Sequence, residues 1–226
     1  MSRTRTYGQD KAAAIPEGDG WLSTLFDRNR AWADAKTRND PGFFRRLVGQ
    51  QRPRYFWIGC SDSRVPATEI VDLDPGEMFV HRNVANLAIA ADPNFSAALQ
   101  FAVDVLNVHH IIVVGHYGCG GIHAAMENET DDAIGHWLAP VRQLHRRHPC
   151  KVNTDGAAAE ALCERNVVAQ VDALSFNPLV RAAWAREAPL SLHGWVYRIG
   201  DGLLKSLCRR VHGGGLAVEP VIDGTG

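Results

Sequence analysis

No apolar run in this sequence approaches the roughly 20 residues that a membrane-crossing helix needs, so no spanning segment is expected. Cysteine is sparse and odd in number. Cys60, Cys119, Cys150, Cys163 and Cys208 stand at long intervals, which excludes the paired framework of a small secreted domain and leaves them as thiols. Charge is nearly balanced, at a formal net of -1, so bulk electrostatics draws neither nucleic acid nor an anionic membrane, and any anion selectivity must be local. Arg3 and Arg5 are followed by no apolar stretch, which speaks against a secretory leader and makes a reducing cytoplasm the expected address. Internal repeats and low-complexity tracts are also missing.

What the 226 residues do hold is enough apolar material, 46%, for one sizeable core. Residues 1–19 read as a flexible polar lead-in, residues 20–210 as the domain and residues 211–226 as a tail. Trp21, Leu22, Leu25, Phe26 and Trp32 recur at roughly helical spacing, and Phe43, Phe44, Leu47 and Val48 suggest a second helix after the Asp40-Pro41-Gly42 break. Periodicity leaves open whether these aromatic-rich helices cover the chain's own core or a partner subunit. Three short continuous apolar runs, Tyr55–Gly59, Met78–His81 and Ile111–Gly115, have the character of parallel strands buried on both faces. Helices are predicted over Phe95–Leu106, Gly121–Asn128, Gly135–His148 and Ala157–Leu174, with further strands at Leu190–Tyr197 and Gly202–Leu207. The alternation predicts an α/β sheet whose ligand site lies just beyond the carboxyl ends of strands.

The first run ends in Cys60-Ser61-Asp62-Ser63-Arg64 and the third in Gly115-His116-Tyr117-Gly118-Cys119-Gly120-Gly121, which places both clusters of soft ligands at one edge of the sheet. Taken singly, Cys60 reads as a small buried hydrophobe, and His116 with Cys119 as packing for the next helix. Together, two thiolates and one imidazole suit zinc, and three protein ligands leave a fourth position open for catalysis. Gly118, Gly120 and Gly121 read as close approach of backbone to the site. Asp62 and Arg64 are within pairing range, either as a surface ion pair or over the open position. His145, His148 and Cys150 are a conceivable second metal site, but beside Arg142, Arg146 and Arg147 a solvated basic helix end is the better reading. The His109-His110 pair has no defensible ligand spacing.

Cys60-Ser61-Asp62-Ser63-Arg64-Val65-Pro66, His81-Arg82-Asn83-Val84-Ala85-Asn86 and Gly115 to Gly121, in that order, closely resemble the beta-class carbonic anhydrases, and the similarity runs from about Trp21 to Leu207. The resemblance implies a mostly parallel central β-sheet flanked by helices, with N-terminal helices extending onto a partner subunit in a dimer or tetramer. It implies one Zn2+ per chain on Cys60, His116 and Cys119, and reversible hydration of carbon dioxide to bicarbonate by a zinc hydroxide that Asp62, paired with Arg64, orients. In a second, closed state Asp62 becomes the fourth zinc ligand. Two thiolate ligands make the metal a weaker Lewis acid than three imidazoles would, so a higher working pH is expected.

The same resemblance implies substrate contacts at Gln51, Phe79, Val84 and Phe101, with Gln51 reaching across a dimer interface. An inhibitory bicarbonate site is implied at Trp57, Arg82 and Tyr197. Core packing would explain the aromatic and aliphatic residues equally, and Gln51 also reads as a solvent-facing loop residue. Two other functions compete: hydrolysis of carbon disulfide or carbonyl sulfide on the same scaffold, and a non-catalytic zinc-binding module with Asp62 as a permanent fourth ligand. A dedicated arginine partner for Asp62 argues against the module.

Overall fold

The computed structural model of the chain describes residues 20–127, 130–147 and 155–211. They group into two units, one ending at Gln50 and the other beginning at Gln51. In the first unit, helix α1 (Gly20–Asn39) and helix α2 (Phe43–Val48) are separated by the Asp40-Pro41-Gly42 break. The Asp40 carboxylate accepts the Gly42 N–H at 3.0 Å and pairs with Arg46, which fixes the corner. Phe44 stands edge-on to both Trp32 and Phe43, while Leu22, Leu25 and Phe26 of α1 are exposed.

The second unit runs β1 (Tyr55–Cys60), β2 (Met78–Asn83), α3 (Pro93–Gln100), β3 (His110–His116), α4 (Gly120–Met126), α5 (Ala133–Trp137), α6 (Ala139–Arg147), α7 (Asp155–Phe176), α8 (Pro178–Ala185), β4 (Ser191–Arg198) and β5 (Leu203–Arg210). The sheet order is β2-β1-β3-β4-β5, with the first four strands parallel and β5 antiparallel to β4. From β1 the chain steps outward to β2 and returns on the other side to β3. The order therefore reverses between β1 and β3, and a crevice opens at their carboxyl ends.

Strand alternation sorts the core. On one face Phe56, Ile58, Ile111, Val113, Leu192 and Val196 pack with Leu99, Leu162, Val167 and Val171 of the helices. Gly194 lets α7 approach β4 closely, since a Cβ there would lie 2.7 Å from Cys208 Sγ and 3.0 Å from Val167. On the other face Trp57, Ile112, Val114 and Tyr197 meet Val65 and Ala67 from the loop after β1.

Three segments differ from expectation. The Phe95–Leu106 helix is α-helical only to Gln100 and continues as a π-turn over Phe101–Val105. The Gly135–His148 helix divides at Leu138, where Pro140 opens a new first turn because its missing N–H is tolerated there. Helix α8 was not foreseen, although Asn177 caps it by accepting the Leu179 N–H at 3.0 Å and Pro178 is its first residue. The expected lead-in at residues 1–19, the expected tail at 211–226 apart from Val211, and two members of the His145–His148–Cys150 group lie outside the described residues.

Candidate metal centre

Parallel pairing of Gly59 with Val114 brings the end of β1 level with the end of β3, so Cys60 and His116 meet at the crevice. Cys119, the residue before α4, completes a buried trio whose ligand atoms all lie within 4.8 Å of one another. Two sulfurs about 2.3 Å from a tetrahedral zinc stand about 3.8 Å apart. The Cys60 and Cys119 sulfurs are 3.8 Å apart. His116 Nδ1 lies 3.2 Å from the Tyr117 carbonyl oxygen, which can only accept, so Nδ1 carries the proton and Nε2 keeps its lone pair. That Nε2 is fully buried with no hydrogen-bond partner among the described residues, an orphan that a metal would satisfy. The donor set fits zinc.

Cys60 is drawn down, chiefly by its hydrogen bond with Cys119 and against the cost of burial. Cys119 is pushed up by the same contact and by burial. Gly118 has φ +70°, the left-handed region that favours glycine, and a Cβ on Gly121 would lie 2.8 Å from Val84 Cγ1. A Cβ on Gly118 or on Gly120 would meet nothing within 4 Å, so the close-approach reading fails for both, and Gly118 is required by its φ instead.

Asp62 faces the trio without belonging to it. Its carboxylate accepts Arg64 Nε at 3.0 Å, Arg64 Nη2 at 2.7 Å and the Arg64 backbone N–H at 2.9 Å, while Oδ2 stands 3.7 Å from His116 Nε2. The Arg64 side chain holds the Asp62 carboxyl down to about 2, against a smaller cost of burial. Arg64 also reaches the Gly118 carbonyl at 3.4 Å, tying together the loops that carry the cysteines.

Arg82 bonds the carbonyls of Cys60 at 2.9 Å and Asp62 at 2.5 Å. Trp57, Arg82 and Tyr197 rise on the same face of the sheet, and the Trp57 indole lies over Gly59, the register neighbour of Arg82. Of the expected substrate contacts, Val84 follows β2 directly and its carbonyl accepts the Trp137 indole N–H at 2.8 Å. Phe79 and Phe101 pair with each other at 5.8 Å, and Phe79 sits four residues before Asn83, about 13 Å back along the strand from the crevice. Within one chain they are not brought to the trio. Gln51 is an exposed coil residue.

Sequence reasoning missed how the loop after β2 is held. Ala85 and Asn86 have φ of 66° and 50°, and this strained turn is braced by the Asn83 side chain on both backbone groups of Leu87 and by Asn166 on the Ala85 carbonyl. It also missed Cys163 and Glu164 of α7, whose partners are His116 and Tyr117. Burial pushes the Cys163 thiol up to about 12.

Comparison with known proteins agrees with this geometry. The family model for carbonic anhydrase matches residues 55–204. A carbonic anhydrase of Emericella nidulans is 40% identical over 186 residues, covering 81% of this chain and 82% of the relative. A Pseudomonas aeruginosa carbonic anhydrase is 35% identical, covering 73% and 77% respectively. The solved structure of a Coccomyxa beta-carbonic anhydrase in complex with acetazolamide superposes with a TM-score of 0.82 at 40% identity, over 85% of this chain and 88% of that one. One of two tetrameric beta-carbonic anhydrases from Sordaria macrospora gives 0.81 at 35% identity, over 85% of this chain and 100% of that one. The chain belongs to the beta-class carbonic anhydrases, the zinc enzymes that hydrate carbon dioxide.

Proposed function

We propose that the chain converts carbon dioxide and water reversibly to bicarbonate and a proton at one zinc ion on Cys60, His116 and Cys119, with Asp62 and Arg64 as the orienting dyad. A bound zinc supplies Lewis acidity, which makes water a nucleophile near neutral pH. The observation that carries the proposal is the Asp62 carboxylate: it stands 3.7 Å from His116 Nε2 yet is gripped by both nitrogens of the Arg64 fork. An acceptor so placed takes the hydrogen bond of the attacking group and aims its lone pair at substrate, while Arg64 keeps the carboxylate off the donor set. Released from Arg64, Asp62 would be able to serve as a fourth ligand, closing the site to water and substrate.

Bicarbonate at Trp57, Arg82 and Tyr197 favours that closed state in this reading, because drawing Arg82 off the Cys60 and Asp62 carbonyls loosens the loop on which Asp62 rides. Val84 lines the substrate site from its own chain, and Gln51, Phe79 and Phe101 reach it from a second copy. Helices α1 and α2 lie on that copy, and the assembly is a dimer or tetramer. The exposed Leu22, Leu25 and Phe26 and the tetrameric state of the Sordaria relatives support this. The domain spans residues 20–210 and works in the cytoplasm, an address that suits free thiols.

Stopped-flow hydration of carbon dioxide by the zinc-loaded protein at neutral and alkaline pH, beside Asp62→Asn, tests the proposal. Turnover that rises with pH and falls steeply in the variant is expected. A zinc-replete protein without turnover at alkaline pH would sink it, and a bicarbonate titration without cooperative inhibition would remove the closed-state part.

A further inference from the structure

We infer that Glu164 and Tyr117 form a clamp that positions His116 as a zinc ligand, an inference that rests on the zinc reading above. The His116 imidazole is anchored through Nδ1 on the Tyr117 carbonyl oxygen, so the direction of that carbonyl sets the direction of Nε2. Tyr117 is in turn held at three points. Its phenol O–H donates to the Glu164 carboxylate, its backbone N–H donates to the Tyr197 carbonyl at 3.0 Å, and the Arg198 guanidinium lies 4.3 Å over its ring. Lys205 Nζ, 3.1 Å from the same Glu164 oxygen, steadies the carboxylate.

The neighbouring residue of α7 completes the grip, since the Cys163 thiol donates to the His116 carbonyl at 3.2 Å. Two consecutive residues of α7 therefore hold two consecutive residues at the end of β3. A hydroxyl is not needed to fill the space of the buried Tyr117 ring, which phenylalanine would fill equally. The hydrogen bond to Glu164 serves orientation. Glu164 touches neither the donor atoms nor substrate and is a positioning residue.

The test measures zinc affinity by chelator competition, and the visible absorption of the cobalt-substituted protein, in the full chain and in Tyr117→Phe, Glu164→Ala, Glu164→Gln and the Tyr117→Phe/Glu164→Ala double variant. Loss of such an orienting partner weakens metal binding roughly 10- to 100-fold. Tyr117→Phe and Glu164→Ala are each expected to show that loss with a shifted cobalt spectrum, and the double variant to be no worse than either, because both break one tether. Glu164→Gln, whose amide oxygen still accepts the phenol, is expected to stay near wild type. If Glu164→Ala fails to fold, Tyr117→Phe carries the test alone. Wild-type affinity and cobalt spectrum in both tether variants would overturn the clamp, as would melting temperatures lowered equally with and without metal and an unshifted spectrum. A wild-type chain that binds no stoichiometric zinc would instead sink the zinc reading, and the clamp with it.

Discussion

In Arg64→Ala, the Asp62 carboxylate loses the hydrogen bonds from Nε at 3.0 Å and Nη2 at 2.7 Å and keeps only the backbone N–H at 2.9 Å. Hydrogen bonds to charged groups contribute about 1.5–3 kcal/mol, and exposed ion pairs about 0–1 kcal/mol. Arg64 is 53% exposed and Asp62 only 15%, which places this bidentate pair between those limits, at about 1–2 kcal/mol. At about 1.4 kcal/mol per tenfold, that shifts the balance between a carboxylate on Arg64 and one turned toward the donor set by roughly 5- to 30-fold. Stopped-flow hydration with matched zinc content should show kcat/KM lowered by a comparable factor. Unfolding free energy should fall by no more than the same roughly 1–2 kcal/mol, about what the pair itself contributes. Arg64→Lys should recover only part of the rate, because a single ammonium cannot grip both carboxylate oxygens. Equal kcat/KM in wild type and Arg64→Ala at every pH would refute the assignment of Arg64 as the restraint on Asp62.

Cys119→Ser is expected to lose stoichiometric zinc, and removal of zinc from the wild-type chain to lower its melting temperature. A metal at about 1,000 times its Kd stabilises the folded state by about 4 kcal/mol, so identical melting curves with and without chelator would contradict a folded-state site. Stability should fall on acidification through His81 and His110, whose pKa values burial holds below 6.5, in His81 despite the charge of Asp92. Above about pH 6.5 both folded and unfolded states are neutral and this contribution is complete; below it the unfolded chain takes the proton first and stability is lost. Urea midpoints between about pH 7.5 and about pH 5.5 should drop, less so in His81→Gln, and parallel profiles would count against the role of His81. Gly194→Ala should cost about 1–3 kcal/mol by overpacking against Cys208, Val167 and Val171, and an unchanged urea midpoint would show that α7 yields freely.

The donor trio was legible because strand placement brings two of its members together and Cys119 follows three residues after His116. Continuous apolar runs at Tyr55–Gly59 and Ile111–Gly115 mark buried parallel strands, and their ends bring Cys60 and His116 together whatever the loops do. The antiparallel turn of β5 was not legible, since apolar patterning carries no direction. The division at Leu138 was written locally in Pro140, but the longer periodicity of Gly135–His148 outweighed it; the start of α8 was written in Asn177-Pro178, where no helix was expected. Glu164 and Cys163 had no local signal: each meets its partner across 47 residues, through the packing of α7 on the sheet. Arg82 carried a recognisable motif, yet its bonds to the carbonyls of Cys60, the last residue of β1, and of Asp62 in the loop beyond depend on a parallel register that residue types do not encode.

The order of the sheet also has a kinetic consequence. Cys60 and Cys119 are 59 residues apart, so of the three donors only His116 and Cys119 are neighbours in an unfolded chain. The third ligand arrives when β1 lies beside β3, a non-local event that must first overcome loop-closure entropy. Tight uptake of zinc by a refolding chain therefore waits for the central strands to pair, and its rate times the moment at which the middle of the sheet forms.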